Sequence, residues 1–266
     1  MPTLAASARS ALAARREEPV ADLPGALVPT LSDDDVAWVH GQLAARAKGE
    51  LRPSSSGAVR LFAPWSSTAL VASAFAPWRG HPADLPLADL GPFSDLRLEE
   101  RLHIPHGGGT PNLDVALDGP TGLVGVESKL TEHLEPRAPR RWRPAYHRPA
   151  MAAALDGGWR TTFEDLLAGR WAPRHLDAGQ LVRHALSLRR TGHLVLVYWE
   201  PLDGDDHAEV LTHRAEVAEL LERVGDAPPQ LRALTWSQML DAWEALLPRH
   251  VAALRARYET ALSGLV

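Results

Sequence analysis

Cysteine is missing from this chain, and lysine nearly so. Zero cysteines in 266 residues exclude a disulfide scaffold, thiolate zinc sites and a cysteine nucleophile. No apolar run approaches the roughly 18 residues needed to span a bilayer. The first stretch, MPTLAASARSALAARREE, has no uninterrupted apolar segment of the kind a secretory signal requires. A soluble, cytoplasmic protein is the expectation. An excess of positive charge is lacking too: Lys+Arg 28 against Asp+Glu 33 leaves a net charge of −5. That excludes a globally basic coat for nucleic acid while leaving room for a local patch.

The residues that are present belong to an ordinary globular domain, with 45% hydrophobic and 23% charged residues. The length suffices for a sizeable core. Internal repeats are not seen. Of the 28 basic residues only Lys48 and Lys129 are lysines, and the other 26 are arginines. A lysine that persists in such a chain raises the question of whether arginine would fail there.

Residues 1–30, Ala- and Pro-rich without a sustained period, read as a flexible arm ahead of one domain over 31–266. Ser32 followed by three aspartates starts a helix that Gly49 stops. RPSSSG (52–57) reads as a loop, and Ser66 or Ser67 caps a buried helix, STALVASAF. Alternation over 96–104 predicts a strand. NLDVAL (112–117) and LVGVESKL (123–130), separated by DGPTG, predict a hairpin. A long Arg/Pro-rich loop over 135–149 and short helices over 149–156 and 162–169 follow. Asp177 and Gln180 open a further helix, and HLVLVYW (193–199) has the character of a buried strand. The segments 206–224 and 235–263 are helical by period, with a break at Pro248. Helix, three strands, helix and strand imply an α/β (α+β) fold, a mixed sheet flanked by helices, with extra helices at both ends.

Strand alternation puts Glu127 and Lys129 on one face, and groups Asn112, Asp114 and Ala116 apart from Leu113, Val115 and Leu117. Folding the hairpin brings Asp114 to the level of Val126 and Glu127. Two carboxylates and an ammonium then share one patch. Oxygen donors of this kind suit Mg²⁺, with Mn²⁺ as a substitute. Spacing alone leaves a second reading open, a surface Glu/Lys pair. The H-x-x-H of His103 and His106 offers no zinc site, because Pro105 and the glycines forbid a helix.

The string TPNLDVAL…GLVGVESKLTE resembles the Asp…Glu-x-Lys signature of the PD-(D/E)XK, restriction-endonuclease-like superfamily. SSTALVASAF, GQLVRHALSL and HLVLVYW extend the likeness to an uncharacterised family within it, over about residues 57–200. The literal Pro-Asp pair is not kept, since Pro111 stands three positions before Asp114. The resemblance implies a Mg²⁺-dependent nuclease that leaves 5′-phosphate and 3′-hydroxyl ends. Asp114 and Glu127 are then the metal acids, the Ser128 carbonyl a further ligand, and Lys129 the catalytic lysine. Glu99 or Glu100 is the candidate extra acid, or else a solvent-facing charge. Gln180, sharing a helix face with His184, either contacts metal-bound water or caps the helix. Glu132 either supports the site or is a loop charge. Arg137, Arg140, Arg141, Arg143 and Arg148, with Trp142, Tyr146 and His147 among them, form a candidate nucleic-acid grip; a merely solvated loop is the other reading. DNA is expected over RNA as substrate, no membrane is involved, and a homodimer is compatible. The competing expectations are a catalytically inactive nucleic-acid-binding or protein-interaction module of the same fold, and a structural helical protein.

Overall fold

A computed structural model of the chain describes residues 3–15, 22–46, 51, 59–188 and 192–262. In chain order the helices are α1 (Leu4–Ala14), α2 (Leu23–Ala26), α3 (Asp33–Arg46), α4 (Ser67–Phe75), α5 (Pro149–Ala153), α6 (Gly157–Ala168), α7 (Ala178–Leu188), α8 (Ala208–Val224), α9 (Trp236–Trp243) and α10 (Pro248–Tyr258). The strands are β1 (Asp95–Arg101), β2 (Asn112–Gly119), β3 (Gly122–Lys129), β4 (His193–Tyr198) and β5 (Gln230–Thr235). They form one sheet in sequence order. β1–β2 and β2–β3 run antiparallel, while β3–β4 and β4–β5 run parallel. This is the mixed, helix-flanked sheet expected, and α4, β1, β2, β3, α7 and β4 follow in the expected order.

Local chemistry explains the boundaries. The Ser32 hydroxyl accepts from Asp35 N at 3.2 Å while Asp35 accepts from Ser32 N at 3.1 Å, a reciprocal cap for α3. Of the two serines, it is Ser66 that caps α4, accepting from Ala69 N. Both sheet faces are covered, so the central strands are apolar on both sides. Val115, Leu117, Val126 and Val195 pack with Phe75 of α4, Trp243 of α9 and Leu254 of α10. Opposite, Ala116, Leu194 and Leu196 pack with Leu181 and Ala185 of α7 and Trp159 of α6. Gly125 makes that second face tight, because a Cβ there would stand 2.8 Å from a Leu113 methyl and 3.2 Å from one of Leu188.

Two expectations are corrected, and one strand is added. The flexible arm over 1–30 contains α1, whose Ala5, Ala8, Ala11 and Leu12 are buried in the core. Small alanines let a helix lie close against its neighbours, and this composition also hides the apolar period. β5 had no counterpart in the sequence pattern: it is a short edge strand interrupted by Arg232 and largely half-exposed. Leu113 packs with Ala116 and α7 rather than with Val115 and Leu117. The β2–β3 ladder ends at Val115–Val126, and Glu99, beside Asp114 in the β1–β2 register, has a φ of 51°. Strict alternation therefore fails at this point. The helix stop at Gly49, the 52–57 loop and Lys48 lie outside the described residues.

Candidate active site

The end of β3 carries three consecutive residues with three distinct roles. Glu127 and Lys129 point toward α7, while Ser128 points to the opposite layer, where its hydroxyl accepts from Trp236 Nε1 at 3.2 Å. The Ser128 backbone N–H donates to Asp114 Oδ2 at 2.6 Å. This bond ties β2 to β3 just beyond their last ladder pair, and brings Asp114 to the Glu127 level, as the hairpin register predicts.

Lys129 Nζ donates to both Glu127 Oε1 and Gln180 Oε1, the latter at 3.0 Å. Asp177 caps α7 by accepting from Gln180 N at 2.9 Å, which leaves the Gln180 side chain free to meet the lysine. One turn on, His184 Nε2 lies 2.8 Å from Glu127 Oε2, without an aligned hydrogen bond. The sequence placed His184 on the Gln180 face but gave it no role. The i, i+4 spacing was the signal, and Glu127 was the unseen partner.

Burial drives the Asp114 carboxyl well above its usual range, and the neighbouring Glu127 and Glu99 carboxylates push it further. Glu127 experiences the same burial but is held down at about 2, because the Lys129 ammonium and the adjacent His184 ring outweigh it. Lys129 is raised despite burial, by Glu127 first and then by Glu132 and Asp114. The two acids therefore differ: Glu127 is an ionised, paired carboxylate, whereas Asp114 is a carboxylate short of positive charge.

The accessory acids separate clearly. Glu99 is buried and accepts from Asn112 Nδ2 at 3.1 Å and Thr68 Oγ1 at 3.5 Å. Glu100 instead pairs with Arg46 at 3.2 Å and Arg97 at 3.5 Å. Glu132 accepts from Leu130 N and Thr131 N, fixing the turn that follows β3. A cavity of about 10 Å³, bordered by Glu127, Lys129, Gln180, His133 and His213, has room for about one water.

The five loop arginines do not act alike. Arg137 and Arg140 both pair with Asp177 at 2.9 Å, and Arg148 donates to the His106 carbonyl at 3.2 Å. Arg141 and Arg143 are exposed and border a shallow cavity with Tyr146 and Arg183.

Donor chemistry decides whether a divalent cation fits. Among the described residues no three His, Cys, Asp or Glu side chains converge as a closed cage. Mg²⁺ needs no such cage, since one or two carboxylates with water and phosphate suffice. Asp114, a buried carboxylate beside Glu127 and Glu99 and destabilised by both, fits such an ion.

A family model described as "Restriction Endonuclease associating with ARP" matches residues 63–259, well over half of the chain. No curated protein and no solved structure shows significant similarity to it.

Proposed function

Since the chain belongs to the family of restriction endonucleases associating with ARP, a nuclease family, we propose that it hydrolyses phosphodiester bonds in DNA with Mg²⁺ held at Asp114, Glu127 and the Ser128 carbonyl. The observation that carries this reading is the position of Lys129. Its ammonium is buried between Glu127 and Gln180, on the same patch as the charge-starved Asp114. A bound Mg²⁺ would supply Lewis-acid polarisation of the scissile phosphate and a lowered pKa for the attacking water.

The chain's own residues do the rest. Glu127 fixes the Lys129 ammonium as a compact point charge, and Gln180 holds it from the other side. From there Nζ donates to a water in the small adjoining cavity or neutralises charge developing on the phosphate. Glu99, anchored by Asn112 and Thr68, is the accessory acid that this arrangement supports. Arg141 and Arg143 contact the phosphate backbone. Mn²⁺ is a substitute cation on the same donor chemistry.

The test is incubation with supercoiled, linear and single-stranded DNA, and with RNA, in Mg²⁺, Mn²⁺ or EDTA. Cleavage of DNA with either metal, abolished by EDTA and by Asp114→Asn, is the expected result. A folded wild-type protein that cuts no substrate under any of these conditions overturns the hydrolytic reading.

A further inference from the structure

Beside the α7 N-terminus lies a cavity of about 170 Å³ that the proposed chemistry does not use. Trp142, Trp171, Pro139, Pro173 and Leu166 give it apolar walls. This is smaller than the roughly 300–1,000 Å³ typical of sites for whole small molecules, and suits a single flat ring system. Two features place it within reach of a nucleic acid strand. It shares Arg137, Leu176 and Asp177 with the water-sized cavity at Glu127, Lys129 and Gln180, so the two are contiguous. Its entrance is part of the arginine loop, with the exposed Arg141 and Arg143 next to it.

The wall is built rather than incidental. Gly179 lets the Arg140 side chain cross the first turn of α7, since a Cβ there would stand 2.6 Å from Arg140 Nε. Trp142 is braced edge-on by Phe163 at 5.5 Å and packs on Tyr146 at 5.1 Å. Arg223 stacks over Trp171 at 4.7 Å. Asp177 binds Arg137 and Arg140 together, so the rim offers oriented guanidiniums. Rigid aromatic walls beside cationic groups match the chemistry of an unpaired base attached to an anionic backbone.

We propose that this cavity receives one unpaired base of the substrate, next to the phosphate held at Glu127 and Lys129, so that the enzyme acts on single-stranded or locally melted nucleic acid. This rests on the nuclease reading and adds to it the form of the substrate. A stacked duplex base cannot enter without leaving its helix.

The test is equilibrium binding of the full chain, in EDTA so that nothing is cut, to fluorescent single strands and blunt duplexes of equal length at one salt concentration. A second series moves a single abasic residue along the single strand. Tighter binding to the single strand is expected, with a loss of about five- to hundredfold when one particular base is removed. Ala138→Trp fills the cavity from its exposed rim and should erase that single-strand preference. Trp171→Ala should act likewise, with its fold checked by circular dichroism. Equal affinity for both forms with a flat abasic series overturns the proposal, while Mg²⁺-dependent cleavage in the same preparation leaves the nuclease reading standing. Absence of binding to either form overturns the base-pocket proposal, whereas the nuclease reading falls only if the same preparation also cuts no substrate in Mg²⁺ or Mn²⁺.

Discussion

Lys129 concentrates the chemistry of the site in one side chain, and replacing it with arginine is the most discriminating substitution. In a chain of 26 arginines and two lysines, charge conservation alone makes Lys129→Arg harmless. The geometry says otherwise: a planar fork cannot occupy the compact space between Glu127 and Gln180. Cleavage should slow by about 10²-fold or more, read as single-turnover rates at saturating Mg²⁺; a rate within a few-fold of wild type sinks the role given to Lys129. The two acids should respond in opposite directions. Glu127→Gln strands a buried ammonium and should cost about 3 kcal/mol. Asp114→Asn removes a carboxylate that its neighbours destabilise, and should raise metal-free stability at neutral pH by about 1 kcal/mol. Because the Asp114 pKa is raised on folding, the native state holds the extra proton. Its contribution is thus favourable at low pH and is lost as pH rises through that raised value. Thermal melts in EDTA separate the two variants; equal shifts of the same sign would contradict the pairing described.

At the level of elements, the arginine loop divides into a structural and an available part. Arg141→Ala with Arg143→Ala should weaken DNA binding for all sequences alike and flatten the salt dependence, by about 0.7–0.9 in slope for each lost phosphate contact. Arg140→Ala should instead loosen the Asp177 cap of α7. If affinity and salt slope survive the double substitution, the loop is merely solvated. This division was invisible in the sequence, where five arginines look equivalent and Asp177 lies far along the chain. The hairpin was legible because two apolar runs flank a turn rich in Gly, Pro and Asp. α7 and β4 were legible for similar reasons of period and cap. α1 was not, since alanine carries little hydrophobic signal, and β5 was not, since an edge strand need not be apolar. Of the site, Asp114, Glu127, Lys129 and Gln180 are brought together as spacing and resemblance implied. That Glu99 rather than Glu100 lies against Asp114 goes with the positive φ at Glu99, which no pattern of residue types encodes.

For the molecule as a whole, buried histidines tie stability to acidity. Burial pushes His133 down to about 3 and His213 down to about 2, and their rings pack 4.4 Å apart behind the site. Both fold neutral, while in the unfolded chain they protonate near 6.5. Their contribution is complete above that value and is lost as pH falls below it. Each should cost about 1–2 kcal/mol between pH 7 and pH 5. His213→Phe should remove about half of this loss in urea melts, and an unchanged acid limb would count against the neutral pair. The same wholeness shows in the order in which the chain is made. Ser128, whose N–H holds Asp114, has its hydroxyl fastened by Trp236, 108 residues later. A nascent chain can fold the hairpin early and meet its Glu127 and Lys129 face with α7, yet the opposite face of β3 gains its Trp236 contact only after the ribosome has passed the start of α9.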